Sequence, residues 1–228
     1  MDGTVETLTA AAKRQITADW AARFPSLGIY KPLWLLRRVG PLLEGIVLDR
    51  DRSNATYLPT FHVHNLIRSF SDVSLTLMHR LATERNQVDD RIPVAAHARR
   101  CQEAADRLSR QITLPLAGDL SVDQVLAAYE RQSTLPIARY DVSLYEDPVE
   151  ICGWAGQVAR ASALLERGVK VIESWPSDVQ AHPSIGGAAK WRAAVESRIK
   201  DSFVARAEAD EMARALRADG LPQAKLIG

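Results

Sequence analysis

His62-Val63-His64 is the arrangement in this sequence best suited to chemistry. On a strand, residues two apart face the same way, so the two imidazoles would stand side by side. Borderline metals such as zinc accept neutral imidazole, and two histidines supply half of a four-ligand site. Asp49, Asp51, His79, His97 and His182 are the residues available to complete it, and nothing in their spacing brings them to the pair. The simpler expectation is a solvated strand face carrying Thr60, His62 and His64. Two histidines titrating near neutral pH would also suit a partner interface.

Other chemistry-bearing residues have plain structural readings. Asp49, Asp51 and Ser53 resemble the opening of a calcium loop, but such a loop needs Gly at its sixth position and Glu at its twelfth. Those positions hold Asn54 and Thr60, which points to a polar hairpin turn. Cys101 lies four residues after His97, a spacing that permits a thiol–imidazole contact. It also falls on an apolar helical seam, where cysteine acts as a small hydrophobe. Cys152 belongs to a stripe of small residues with Gly156, Ala159 and Ala163. Ser184-Ile185-Gly186-Gly187, with Lys190 beyond, matches neither phosphate-loop nor dinucleotide spacing and reads as a helix start. Asp89-Asp90 reads as a solvated helix end. Of the five tryptophans, Trp34 and Trp175 adjoin turn residues, where an exposed aromatic would serve as a binding anchor.

The elements that would carry these residues are mostly helical. Val5, Leu8, Ala12, Ile16 and Trp20 recur at helical spacing, predicting a helix over Thr4–Phe24. Leu42–Leu48 and Tyr57–His64 flank a polar cluster and predict a β-hairpin. Pro59 cannot donate to a ladder, so its strand is expected to lie at an edge or to begin after it. A hairpin alone is marginal in water, and Leu33–Val39 is the segment that would add a third strand. Helices are expected over Asp72–Asn86, over Val94–Ile112 and over Ser121–Gln132 with Ser121 as cap. Asp147-Pro148-Val149-Glu150 has the form of a helix start, predicting a long helix to about Ser174. A last helix is expected from Gly187 to about Ala218, burying Trp191, Val195, Ile199, Phe203, Met212 and Leu216 and packing antiparallel to its predecessor. Leu135–Tyr145 fits loop or strand equally. The expected fold is therefore mainly α: a helical bundle-like single domain over 1–228, with a short antiparallel β-hairpin at about residues 42–64 packed on it. The N-terminal helix and hairpin would occupy 1–70 and the helical portion 72–219.

Composition narrows the classes of function. The 228 residues carry 29 basic and 28 acidic side chains, a net charge of +1. Phosphate affinity needs uncompensated Lys and Arg, so nucleic acid is not the expected partner. The Arg-rich stretch from Arg80 to Arg110 is offset by Glu84, Asp89, Asp90, Glu103 and Asp106. Two cysteines do not make a disulfide scaffold. The N-terminus lacks the basic and apolar regions of a signal peptide, and Pro32–Leu48 is interrupted by Arg37, Arg38 and Glu44, so a cytoplasmic address is expected. The Arg- and Ala-rich composition suggests a bacterial genome. No motif calls for a cofactor.

Three classes of function remain, in the absence of a complete catalytic motif. The first is a non-catalytic protein-binding protein: an inhibitor, a toxin-neutralising (immunity-type) protein or an adaptor. Its expected partner surface is Asp49, Asp51, Arg52, His62, His64 and Trp34. The alternative is a metal-dependent enzyme with His62 and His64 as ligands. The third is a structural helical homo-oligomer built on the small-residue stripe.

Overall fold

A computed structural model describes residues 6–183, 185–199 and 202–228. Thr4, Val5 and Ser184, which figure in the expectations above, lie outside them. The chain opens with α1 (Ala10–Arg23), whose N-terminus is capped by Thr9 Oγ1 accepting from the Ala12 N–H at 3.1 Å. Five strands follow: β1 (Gly28–Lys31), β2 (Trp34–Val39), β3 (Leu42–Arg50), β4 (Thr56–Asn65) and β5 (Leu77–Arg80). After β6 (Ile92–Pro93) come α2 (His97–Gln111), β7 (Leu120–Ser121), α3 (Val122–Ser133), α4 (Ser143–Trp154) and α5 (Val158–Glu173). The remainder is α6 (Ser177–Gln180), α7 (Ala188–Glu196), α8 (Ser202–Ala215), β8 (Gln223–Ala224) and β9 (Leu226–Ile227).

This is not a mainly α bundle with a hairpin attached. The chain is 46% helix and 20% strand, and its centre is an antiparallel sheet ordered β1-β2-β3-β4-β5. Two further strands bring the sheet to seven: β6 pairs with β4, and β8 runs parallel to β2. The expected hairpin strands form where the apolar alternation places them, but as the middle of this sheet, in register from Leu42 opposite Asn65 to Arg50 opposite Tyr57. Pro59 does not mark an edge. The Pro59 carbonyl accepts from the Leu81 N–H at 2.8 Å, so its N–H-less nitrogen faces the same side, between the residues paired with β5 (Thr60–Val63) and with β6 (Thr56, Tyr57). No bond to β3 is lost there. The helix expected over Asp72–Asn86 is likewise replaced by β5, because the free edge of β4 offers backbone pairing that a weak three-residue period cannot outbid.

Both sheet faces are covered. Leu35, Val39, Leu42, Ile46, Tyr57, Phe61 and Val63 point to one face, packed by Ile16 and Trp20 of α1, Cys101, Ala105 and Leu108 of α2, and Val125 and Tyr129 of α3. On the other face Leu36 and Leu43 share an apolar cluster with Ala209 and Ala213 of α8. A helical layer of α3, α4, α5 and α7 packs around Leu126, Val149, Leu165, Trp175 and Trp191. Within that layer Ser121 caps α3 in a full capping box with Gln124, as its spacing predicts.

The two long C-terminal helices do not exist as such. The first is broken at Ala155–Gln157, where Gly156 has φ +76°, so Cys152 and Ala159 sit on different helices and form no common stripe. Asp147-Pro148 lies inside α4 and is no start, since the helix already begins at Ser143. The second is α7 and α8, separate helices, and Phe203 is exposed where burial was expected. None of the described helices is long and apolar enough to cross a membrane.

Candidate functional site

The sheet places the histidine pair first. His62 and His64 share a face, as strand geometry requires, but that face is closed and both side chains are buried. Trp34 Nε1 donates to His62 Nε2 at 2.6 Å. Gly45 sits opposite His62 on β3, and a Cβ there would lie 1.9 Å from the Leu35 carbonyl oxygen, so β2 approaches β3 closely at this point. His64 Nδ1 accepts the Ser74 N–H at 2.9 Å and meets Ser74 Oγ at 2.8 Å. Burial, reinforced by His64, pushes His62 down to about 3; burial, reinforced by Arg68, pushes His64 down to about 4. Both are therefore neutral at physiological pH. His62 Nδ1 and His64 Nε2 are buried without a hydrogen-bond partner. Among the described residues no three His, Cys, Asp or Glu side chains are placed to hold a metal ion together, so nothing joins the pair to complete a metal site.

The other sequence candidates scatter. Asp49 and Arg52 are exposed at the tip of the β3–β4 hairpin. Asp51 is tied into that turn by Thr56 Oγ1 at 2.8 Å and Ser53 Oγ at 2.9 Å, which lowers its carboxyl below the usual range. The tip does not join His62, His64 and Trp34 into one surface, because the histidines are not accessible. Cys101 and Cys152 are both free and buried, and burial raises each thiol to about 11. The partners of His97 are Asp19 and Tyr57. Its Nε2 reaches Asp19 Oδ2 at 2.9 Å, its Nδ1 reaches the Tyr57 hydroxyl at 2.7 Å, and Trp20 Nε1 donates to that hydroxyl at 3.3 Å. With Tyr57 donating to Nδ1 and Nε2–H donating to Asp19, every group is satisfied and α1, β4 and α2 are tied together. Asp90 is not a solvated helix end either: it is buried between Arg100 and Arg107.

The densest polar cluster comes from the segment expected to start a helix. Glu146, Asp147 and Glu150 all point inward from α4. Arg68 bridges Glu146 and Asp147, the latter at 2.8 Å, and Arg198 Nε lies 2.6 Å from Glu150 Oε1. Asn65 Nδ2 donates to Glu150 at 2.7 Å, Tyr129 donates to Asp147 at 2.8 Å, and Trp191 Nε1 donates to Glu146 at 2.8 Å. Burial first, then the charge of Asp147, raises Glu150 to about 7 against the pull of Arg68 and Arg198. These partners close the carboxylates off, so the cluster ties the sheet to α3, α4 and α7.

An open surface lies instead on the outer side of the helical layer. A cavity of about 280 Å³ between α3, α4 and α5 has an apolar floor that includes Leu126, Leu144 and Leu164. Two ion pairs join α5 to α3 at its rim, Arg160 with Asp123 at 2.5 Å and Arg167 with Glu130 at 2.8 Å. It shares Ser133 and Tyr145 with a second cavity of about 460 Å³ walled by Pro136, Tyr140, Trp175 and Pro176. That one shares Tyr140 with a third, of about 450 Å³, against Val142 and Val179. These shared residues set the three cavities side by side, a row referred to below as the trough. Trp175 is buried and walls the middle one, edge-on to Tyr140 at 5.6 Å and to Tyr145 at 5.9 Å between ring centres. Along its rim the turn between α3 and α4 projects Leu135, Ile137 and Tyr140, with Ile137 84% exposed. Arg139 is the one charged side chain lining the middle cavity.

Family models, curated proteins and solved structures all give no match to this chain.

The trough was missed in the sequence because its parts are dispersed. Trp175, expected to be exposed because it adjoins Pro176, is instead buried in the core of the helical layer. Leu135–Tyr145, which fits loop or strand equally in the sequence, is a helical turn at Pro136–Ala138 followed by the start of α4 at Ser143. The carboxylate cluster gave no signal, because its partners lie 18 to 85 residues from α4.

Proposed function

We propose that this chain is a non-catalytic protein-binding protein of the cytoplasm, of the inhibitor, toxin-neutralising or adaptor kind, and that it holds an apolar, extended segment of its partner in the trough between α3, α4 and α5. The observation that carries the reading is the exposed ridge Leu135–Ile137–Tyr140 beside three adjoining cavities, the middle one walled by Trp175. Apolar side chains held out in water beside an aromatic-walled groove are the mark of an interaction site. Tyr and Trp supply large contact area at little entropic cost. An elongated, three-chambered shape suits successive side chains of a segment better than one small molecule. Arg139, the single charge of the middle chamber, favours a partner acid at that point. Two free, buried cysteines suit a reducing compartment.

The test is affinity capture from native lysate with wild-type protein, Ile137→Asp and the hairpin-tip control Arg52→Glu. One stoichiometric partner is expected with wild type and with the control, and none with Ile137→Asp. Retention by Ile137→Asp with loss in the control would move the interface to the hairpin tip and overturn the trough. Light scattering on the same proteins identifies a second copy of the chain as the occupant, if a concentration-dependent dimer disappears in Ile137→Asp.

A further inference from the structure

The cavity between α3, α4 and α5 is framed by a regular pattern of charge. Asp123 and Glu130 lie seven residues apart on α3, Arg160 and Arg167 seven apart on α5, and they pair in that order at 2.5 and 2.8 Å. Seven residues are two helical turns, so the two ion pairs cross from helix to helix about 10 Å apart, and α3 and α5 run in the same direction. Between the pairs the lining is apolar: Leu126 and Ala127 from α3, Leu164 from α5, with Leu144 and Pro148 from α4.

This window is selective in charge, size and length. Its four charged residues cancel, so an ionic side chain would gain no net attraction there and would lose hydration over the apolar floor. Its volume of about 280 Å³ falls below the range of about 300–1,000 Å³ usual for small-molecule sites, and suits one large side chain. An extended chain advances about 3.3 Å per residue, so about three residues reach from one ion pair to the other. All four rim side chains are exposed, which makes the pairs weak, and each keeps N–H groups or lone pairs for the backbone of a segment lying across them.

We propose that this window is the anchor point of the trough and takes one large, uncharged apolar side chain, of the phenylalanine or leucine kind, from the partner's extended segment. The proposal rests on the reading of the trough as the partner site. The ion pairs then form the rim that keeps water from a buried anchor, as at interface hot spots. Ala127 keeps the window open: it is exposed, one turn from both Asp123 and Glu130, and a large side chain there would occupy the space.

NMR titration of the isotope-labelled full chain with N-acetyl-phenylalaninamide, N-acetyl-alaninamide and N-acetyl-lysinamide tests the proposal. The phenylalanine probe should give saturable shifts at Ala127, Leu144 and Leu164, and the alanine and lysine probes none. Ala127→Phe should weaken the phenylalanine probe by roughly tenfold. Ala127→Ser and Ile137→Asp should leave it unchanged. Absence of saturable shifts in the wild-type chain, equal affinity for the lysine probe, or full affinity in Ala127→Phe overturns the anchor. Partner capture separates the two readings: loss in Ile137→Asp with retention in Ala127→Phe removes the anchor and keeps the trough, whereas retention in both removes the trough. Circular dichroism of each variant separates loss of the window from loss of the fold.

Discussion

The carboxylate cluster of α4 and the trough around Trp175 lie on neighbouring helices and invert the usual expectation of which residues face water. The cluster is charged and buried, with Asp147 and Glu150 fully enclosed by Arg68, Arg198, Asn65 and Tyr129. The trough is apolar and open, with Ile137 and Leu135 held out in solvent. Charge that is closed off by partners serves the fold, because each buried carboxylate has found the counter-charge or donor that burial demands. Apolar surface left open is free to associate, which is what the proposed function rests on.

If the comparison holds, variants in the cluster cost stability and variants in the trough cost binding. The largest effect is expected from Arg68→Ala, which leaves Asp147 and Glu146 short of their cation and should lower unfolding free energy by about 3–5 kcal/mol. Urea denaturation measures it, and a loss below about 1 kcal/mol would mean the cluster is not a structural tie. Gly45→Ala comes next, at about 3 kcal/mol, since the new methyl meets the backbone of β2, which cannot step aside. A fully stable Gly45→Ala protein would refute that close approach of β2 and β3.

The pH response is smaller and separable. Glu150 has a folded value raised from 4.5 to about 7, so folding favours its protonated form and stability is lost as pH rises through that interval. Glu44, buried beside Arg37 and raised to about 7, acts in the same direction. His62 and His64 oppose them: lowered from 6.5 to about 3 and 4, they make the unfolded chain the better proton acceptor, so stability is gained as pH rises to 6.5. Glu150→Gln should therefore tilt the profile between pH 5 and pH 7.5 toward higher stability at the alkaline end, and His62→Gln should tilt it the other way. Parallel profiles for the two variants would contradict the burial of one group or the other. Smallest of all is the stability effect of Ile137→Asp, expected within about 0.5 kcal/mol of wild type even as partner capture disappears. A cooperative destabilisation of several times that size would show Ile137 to be a packing residue and erase the contrast between the two regions.

Much of the local structure was legible and its assembly was not. The alternation in Tyr57–His64, the cap at Ser121 and the apolar face around Cys101 and Leu108 each follow from one short window of sequence. The sheet does not, because β1, β5, β6 and β8 have four residues or fewer and take their conformation from the neighbour they pair with. The same holds for the histidines. That His62 and His64 share a face follows from the strand; that the face is covered depends on Trp34, Phe70 and Ser74, which no spacing announces. Asp147-Pro148 shows the opposite failure, a strong local signal overruled. Proline at the sixth position of α4 loses one ladder bond, and the ion network around Asp147 and Glu150 offsets that loss.

The pairing of β8 with β2 bears on how the molecule is made. Gln223 and Ala224 lie against Arg38 and Val39, and nearby the Tyr30 hydroxyl donates to the Leu216 carbonyl across 186 residues of sequence. Contacts of that span close a long loop before they return any stabilisation, so they form late. During synthesis from the N-terminus, β1–β5 emerge together and can pair at once, while the edge of β2 beyond Leu36 waits for Gln223 and Ala224, which are made much later. For that interval the nascent sheet carries an open edge strand, the site where a chaperone or a second nascent chain would bind first.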